Sequence, residues 1–157
     1  MILIRTPRLT LEPLGMKHLN STHKYAADPE LTRLMVFLPV EDIAETERYL
    51  RRCESEAAKP QPQFLEMAIM LGERHIGSVS VCLEENGTVW ELGWILSREF
   101  HGKGYAAEAA RGLMEYCRAS GPIYRSLRQR EYGFAPGNGE AGNVPARDIP
   151  RQKEPLL

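Results

Sequence analysis

Two glycines one residue apart, Gly102 and Gly104, run directly into an alanine-rich segment that begins at Tyr105. The first amides of a helix have no partners within the helix and lie at the positive end of its dipole, and glycine lets a phosphate approach the backbone closely. The stretch HGKGYA is therefore a candidate cradle for a phosphate or pyrophosphate. As a bare motif it fits a plain strand-to-helix turn at least as well, because short Gly-x-Gly matches are common by chance.

Two other phosphate-binding loops can be compared with this stretch. An NTPase phosphate loop requires Ser or Thr after its lysine, whereas Lys103 is followed by Gly104. The letters G-x-G-x-x-G/A of a dinucleotide fingerprint do match, with Ala107 in the last position. That fingerprint follows a parallel strand and needs an acidic residue about 20 positions later, whereas here the preceding strands look antiparallel. A nucleotide-dependent oxidoreductase is therefore the weakest interpretation.

The glycines come at the end of a pattern of short strands and helices. Residues 8–14 alternate polar and apolar side chains up to Pro13, which predicts a strand. Asp42 is the predicted N-cap of a helix, with Glu45 three residues on. KPQPQ, residues 59–63, ends that helix. The apolar residues at helical spacing between these points are Ile43, Leu50, Cys53 and Ala57.

Three strand-like runs follow, at residues 64–71, 75–82 and 88–96, with turn residues between them. Such short connections predict an antiparallel meander. A second helix is predicted from about Lys103, and its apolar face consists of Ala106, Ala109, Leu113 and Cys117. The predicted fold class is therefore α/β (α+β), with a central, mostly antiparallel sheet and flanking helices.

Composition excludes several classes of protein. The chain has 157 residues and a net charge of −1, and its longest basic run is the pair Arg51 and Arg52, so no nucleic-acid partner is expected. The three cysteines are far apart and include no Cys-x-x-Cys, which favours reduced thiols over a disulfide framework or a metal site. The N-terminal stretch is too briefly apolar for a signal peptide or a membrane span. We therefore expect a cytoplasmic protein without a membrane partner.

The order of these elements, with the stretch ELGWILSREFHGKGYAAEA, resembles the GNAT superfamily of acetyl-CoA-dependent N-acetyltransferases. More narrowly, it resembles the branch that includes the ribosomal-protein alanine and serine N-acetyltransferases. IRTPRLTLEPL is similar to that branch's first strand, AIMLGERHIGSVSV to its second and third, and ELGWIL to its fourth, so that the resemblance covers roughly residues 2–117. The superfamily's loop pattern, Gln/Arg-x-x-Gly-x-Gly/Ala, falls on His101, Gly104 and Ala106. His101 departs from the usual Gln or Arg.

The resemblance implies a GNAT fold with acetyl-CoA as the acetyl donor. The loop amides would bind the pyrophosphate of coenzyme A, and the exposed edge of the fourth strand would pair with the pantetheine arm. A backbone N–H at the end of that strand would stabilise the oxyanion, and no covalent enzyme intermediate would be required. The implied cofactor-binding residues are Trp94, Ile95, Leu96, His101, Gly102, Lys103, Gly104, Tyr105, Ala106 and Ala107.

The acceptor amine, whether a protein N-terminus or a small molecule, must lose a proton to a base. By strand alternation Glu91 shares a face with Gly93 and Ile95, close to the expected thioester, and it is the first candidate for that base. A purely structural role for Glu91 is an equal alternative, and Glu66 is the next choice.

Other residues near the loop have two interpretations each. Glu108 is expected to support the first turn of the helix rather than catalysis. Trp90 and Trp94 either line the acceptor pocket or pack in the core. Lys103 either steers the phosphates or is a solvated side chain. His101 is expected to be a loop residue rather than a catalytic base.

Residues 120–157 lack the pattern of the preceding chain. They carry five of the eleven prolines and five of the thirteen glycines, a composition that predicts disorder. In the family that the chain resembles, the helix predicted here from about Lys103 is followed by a fifth strand, then by Asn-x-x-Ser on a further helix that ends in Lys-Leu-Gly, and then by more strands; this pattern is not visible here. Residues 127–150 can be back-translated with permitted codons so that reading from the second nucleotide gives CDRENTASRQVMEKLGMCQREIF, which is similar to that segment of the family.

We therefore hypothesise a frameshift near residues 125–127, with an N-acetyltransferase domain over residues 1–120 and an aberrant tail over residues 121–157. The chain would then be an N-acetyltransferase by lineage, or an inactive acyl-CoA-binding or interaction remnant.

Overall fold

The computed structural model describes residues 2–33, 35, 39–84 and 89–119, in which a five-stranded antiparallel sheet has helices on both faces. The strands are β1 (Ile4–Arg5), β2 (Thr10–Pro13), β3 (Phe64–Leu71), β4 (Arg74–Glu84) and β5 (Val89–Leu96). The helices are α1 (Leu19–Ala26), α2 (Pro29–Thr32), α3 (Ile43–Ala57) and α4 (Tyr105–Ala119), with 3-10 turns at Met16–His18 and Arg98–Phe100. The spatial order of the strands is β1-β2-β3-β4-β5. The predicted antiparallel sheet with flanking helices is confirmed.

The predicted boundaries agree closely with the structure where local signals set them. β3 has the predicted bounds, and β4 is longer than its prediction by one residue at the start and two at the end. The Asp42 carboxylate accepts a hydrogen bond from the Ala44 amide at 3.0 Å, which confirms the N-cap of α3. α4 begins at Tyr105, two residues later than predicted, because Gly102 and Gly104 have φ angles of +73° and +77°.

The main core lies between α4 and one face of the sheet. Alternate residues of β3 and β4, including Met67 and Val79, are fully buried there because strand side chains alternate between faces. The predicted apolar face of α4 is confirmed, with Ala109, Leu113 and Cys117 buried and Ala106 partly buried.

The opposite face of the sheet is covered by α1 and α3. Leu50 and Cys53 of α3 pack against Leu14 and Ala68 in one cluster. A second cluster consists of Tyr25 and Ala26 from α1 and Ile95 from β5. The prediction that Ile43 belongs to the apolar face of α3 is wrong: the residue is 44% exposed, one position after the N-cap and outside both clusters.

The sheet order places β5 at the edge of the described sheet. In the chain, β5 is followed by the turn at Arg98–Phe100, by residues 101–104, which we call the glycine loop, and by α4. This arrangement puts the outer main-chain groups of β5 beside the first turn of α4. The hypothesised frameshift and the aberrant tail lie outside the described residues. In the described ranges, no helix combines the length and the apolar character needed to cross a bilayer.

Candidate functional site

The edge of β5 directs main-chain groups outward at alternate residues. The Ser97 N–H donates to the Ile76 carbonyl at 2.9 Å, in register with the pairing of β4 and β5. Because hydrogen-bonded and non-hydrogen-bonded pairs alternate in an antiparallel ladder, Leu96 and Trp94 direct their N–H and C=O groups away from β4. Ile95 instead directs its main chain toward β4. Of the three strand residues implied by the resemblance, two are thus oriented to pair with an extended ligand.

His101 covers part of this edge. Its Nε2–H donates to the Leu96 carbonyl oxygen at 2.8 Å, and that carbonyl is one of the two that point outward. An extended ligand that pairs with β5 must therefore use Trp94 or displace the imidazole from Leu96. The sequence predicted a loop position for His101 but not this contact, which joins residues on either side of the turn.

The glycine loop is open on its outer surface. The left-handed φ angles of Gly102 and Gly104 favour glycine, and an ideal Cβ on Gly102 would have no atom within 4 Å. The Glu108 N–H donates to the Gly104 carbonyl at 3.1 Å, the first hydrogen bond of α4. The amides of residues 105–107 therefore have no acceptor within the helix.

A basic side chain and two aromatic rings lie near these amides. Lys103 Nζ donates to the Glu99 carbonyl at 3.0 Å and lies 5.7 Å from the Phe100 ring centroid. The Tyr105 ring centroid is 6.4 Å from that of Phe100 and 4.6 Å from the guanidinium carbon of Arg8. Amides without an acceptor in the helix, the positive end of a 15-residue helix and the charge of Lys103 together fit an anionic group such as a pyrophosphate.

Glu108 joins the first turn of α4 to the segment between β1 and β2. Its carboxylate accepts hydrogen bonds from Thr6 Oγ1 at 2.6 Å, from the Arg8 main-chain N–H at 2.8 Å and from Arg8 Nε at 2.6 Å. Burial by itself would raise the pKa of Glu108, but these hydrogen bonds outweigh it and hold the pKa below its usual value. The geometry supports the structural role expected for Glu108.

Glu66 lies on the face of the sheet covered by α1 and α3. It is opposite Ser80 of β4, which in turn is opposite Gly93 of β5. Burial raises the pKa of Glu66, and the hydroxyl groups of Ser78, Tyr49 and Ser80 oppose this effect without cancelling it. A carboxyl group with a raised pKa is suited to exchange a proton near neutral pH.

Glu91 lies on the same face of the sheet as Glu66, but in a neighbouring row of side chains. It is exposed and stands opposite Cys82, one side-chain row away from the row of Glu66 and Gly93. With two strand spacings and one side-chain repeat between them, the Cα atoms of Glu66 and Glu91 are about 12 Å apart. The two candidate bases therefore share a face of the sheet but are not brought together.

The side chain of Trp94 packs against the core on the α4 side of the sheet. That side is opposite to the face of Glu66 and Glu91, so the packing interpretation of Trp94 holds and the acceptor-pocket interpretation does not. Only its main chain faces the open edge of β5. The side chain of Trp90 lies outside the described part of the chain.

Two cysteines can be set aside as nucleophiles. Burial raises the pKa of Cys53 to about 12 and that of Cys117 to about 11. Both remain protonated thiols at neutral pH, and a thiol is a much weaker nucleophile than a thiolate. Neither of these two thiols is suited to form a covalent intermediate.

A separate group of polar side chains lies between α1 and the sheet. His18 Nδ1 accepts from the Gly15 N–H at 3.2 Å, and its Nε2–H donates to Glu12 at 3.0 Å. His75 Nε2–H donates to a main-chain carbonyl two residues on at 2.8 Å, and its Nδ1 is 2.6 Å from Ser21 Oγ. Burial lowers the pKa of His18 and lowers that of His75 to about 4, so both rings are neutral at pH 7.

The chain has recognisable relatives among known proteins. A family model described as "Acetyltransferase (GNAT) domain" matches residues 8–146. The uncharacterized N-acetyltransferase p20 of Bacillus licheniformis is 27% identical over 113 residues, which are 71% of this chain and 63% of p20. The chain therefore spans less than two thirds of the length of this curated relative.

Two solved structures show the same fold. The acetyl transferase from Salmonella typhimurium that modifies the N-terminal serine of the 50S ribosomal subunit protein L7/L12 is similar with a TM-score of 0.63 and 17% identity, over 76% of this chain and 70% of that one. The spermidine N-acetyltransferase from Vibrio cholerae, in complex with CoA and spermine, gives a TM-score of 0.59 and 19% identity, over 69% of this chain and 63% of that one. These likenesses confirm the predicted fold.

Proposed function

Because the chain belongs to the acetyltransferase (GNAT) domain family, we propose that it transfers an acetyl group from acetyl-CoA to a primary amine. One observation carries the proposal: the loop of Gly102 and Gly104, with the amides of residues 105–107 that have no acceptor in the helix, lies beside the outward-directed edge of β5. The loop suits the pyrophosphate of coenzyme A, and the strand edge suits its pantetheine arm. The antiparallel pairing of β4 and β5 removes the parallel-strand context that a dinucleotide fingerprint requires.

The reaction we propose is a direct attack. The lone pair of the acceptor nitrogen forms a bond to the thioester carbonyl carbon, and an outward main-chain N–H near the end of β5 stabilises the oxyanion. Collapse of the tetrahedral intermediate breaks the C–S bond and releases the coenzyme A thiolate. The proton lost by the nitrogen passes through water to a carboxylate and can return from there to the thiolate.

Glu91 is our first candidate for the carboxylate that accepts this proton. Its exposed position on β5 places it on the same face as Gly93, next to the strand edge where the donor would pair. Glu66 is the second candidate, and its burial and raised pKa favour it on chemical grounds. Replacing each carboxylate by glutamine separates the two candidates.

The class of acceptor is a second part of the proposal. The two structural neighbours act on an N-terminal serine and on spermidine, so both a protein N-terminus and a small amine are compatible with the fold. The carboxylates Glu66 and Glu91 on one face suit an acceptor that arrives as an ammonium group.

The proposal is tested by titrating the protein with acetyl-CoA, ATP and NAD and then screening amine acceptors for acetyl transfer. Of these three ligands, we expect only acetyl-CoA to give a measurable heat of binding. Binding of NAD or ATP in its place would overturn the assignment. Selective binding of acetyl-CoA without transfer to any amine would support the alternative of an acyl-CoA-binding remnant.

A further inference from the structure

One side chain from the segment between β1 and β2 reaches the glycine loop. We propose that Arg8 is a positioning residue for coenzyme A, because it holds the loop so that the amides of residues 102–107 can bind the pyrophosphate. The inference rests on the proposed function, since it gives a role in ligand binding to a residue that lies about 100 positions from the loop.

Arg8 contacts the loop on both sides of Gly104. Its Nη1 donates to the Lys103 carbonyl at 2.9 Å, and its Nε donates to the Glu108 carboxylate at 2.6 Å. Its guanidinium carbon lies 4.6 Å from the centroid of the Tyr105 ring. An ideal Cβ on Gly104 would come within 3.5 Å of Arg8 Nη2. One planar group thus spans the left-handed glycine and fixes the residues before and after it.

The loop needs such support because of its composition. Glycine has more conformational freedom than any other residue, and two of the four residues that precede α4 are glycines in the left-handed region. A loop that is free before binding must lose that freedom when the ligand binds, which weakens affinity. A guanidinium can restrict it because its N–H groups point in fixed, coplanar directions, and the ammonium of lysine has no such fork.

The main chain at Arg8 is itself held in place. Its main-chain N–H and the Thr6 hydroxyl both donate to Glu108, and the Thr6 hydroxyl also lies 3.2 Å from the Leu9 carbonyl. α4 approaches this segment so closely that a Cβ on Gly112 would lie 2.7 Å from the Thr6 methyl group. The guanidinium therefore extends from a turn that is packed against the same helix whose first turn it supports.

The ion pair itself contributes little to stability. The Arg8 side chain is 47% exposed, so water screens its charge. The Glu108 side chain is only 13% exposed, but without the guanidinium it keeps its hydrogen bonds from the Thr6 hydroxyl and from the main-chain N–H of residue 8. Loss of the side chain should therefore speed hydrogen exchange of the loop amides while changing the free energy of unfolding only a little. This difference separates a positioning role from a purely structural one.

The test compares Arg8→Gln with Arg51→Gln, which breaks the exposed ion pair of Arg51 and Glu47 on α3, away from the loop. We expect Arg8→Gln to raise the Kd for coenzyme A about tenfold by calorimetry, and to speed amide hydrogen exchange at residues 102–107 in the free protein. Arg51→Gln should change neither quantity, and the two variants should melt within a few degrees of each other. Arg8→Lys should bind as weakly as Arg8→Gln, because one ammonium lacks the fork.

Three results would overturn the inference: wild-type affinity in Arg8→Gln, unchanged exchange in the loop, or faster exchange throughout the sheet with a much lower melting temperature than Arg51→Gln. Failure of the wild-type protein to bind coenzyme A would be a different result. It would reject the proposed function, while the exchange measurement on the free protein would still decide whether Arg8 holds the loop.

Discussion

Replacement of His75 by glutamine should remove part of the loss of stability that the protein suffers in mild acid. His75 is partly buried beside His18, with its Nε2–H on a main-chain carbonyl and its Nδ1 at Ser21. Burial, and to a smaller degree the neighbouring His18, lower its pKa from 6.5 to about 4, whereas the hydrogen bond to the Gly77 carbonyl and, less strongly, Glu12 raise it. Glutamine can keep the hydrogen bond to the carbonyl, but it does not titrate.

The sign and the size of the effect follow from proton linkage. Below pH 6.5 the unfolded chain binds a proton at His75 that the folded chain does not, so the free energy of unfolding is highest above pH 6.5 and falls as the pH drops toward 4. The full effect is about 3 kcal/mol at about 1.4 kcal/mol per pH unit, and about 2 kcal/mol of it is lost between pH 7 and pH 5.

Urea unfolding followed by tryptophan fluorescence at pH 7 and pH 5 measures this loss. We expect His75→Gln to lose about 2 kcal/mol less than the wild-type protein over that interval. His23→Gln, which removes a histidine whose ring meets Thr46, controls for the substitution of a histidine. Equal losses in wild type and His75→Gln would show that His75 is not held neutral by the fold.

Three further results are expected. Gly77→Ala should lower the free energy of unfolding in urea by about 1–3 kcal/mol, because its Cβ would lie 2.1 Å from the Ile95 carbonyl oxygen of β5; wild-type stability would refute the close approach of β4 and β5. In a frame-corrected protein, Glu91→Gln should lower kcat about 10²- to 10⁴-fold with little change in acetyl-CoA affinity if Glu91 is the base. If Glu66→Gln lowers kcat in this way and abolishes the acidic limb of the pH–rate profile, while Glu91→Gln does neither, Glu66 is the base instead. Sequencing of the gene should reveal a shift near codons 125–127, and codons whose shifted reading does not give the family-like string would reject the frameshift hypothesis.

Local signals in the sequence predicted the elements that depend on local physics. β3 and β4 follow from alternating side chains between short turns, and the start of α3 follows from the carboxylate of Asp42. The glycine loop was predicted from Gly102 and Gly104, whose left-handed backbone the structure shows. In each of these cases the residues that set the conformation are neighbours in the chain.

The contacts that complete the site could not be predicted from the sequence. Arg8 and Glu108 meet because β1, β2 and α4 pack together, and no periodicity connects residues 100 positions apart. The hydrogen bond from His101 to the Leu96 carbonyl depends on the path of the turn between them. The raised pKa of Glu66 depends on burial beneath α3, which becomes visible only when the helix is packed on the sheet.

The central claim is that the loop before α4 holds the pyrophosphate of coenzyme A, and one calorimetric comparison tests it directly. Gly104→Asp places a side chain and a negative charge in the loop, and Gly72→Asp makes the same change at another left-handed glycine, in the exposed turn between β3 and β4. Both variants place a side chain at a left-handed backbone position, with φ +77° at Gly104 and +61° at Gly72, so the stability of each should fall. We expect Gly104→Asp to abolish binding of coenzyme A and Gly72→Asp to retain it. Wild-type affinity in Gly104→Asp, or equal loss in both variants, would contradict the assignment of the loop.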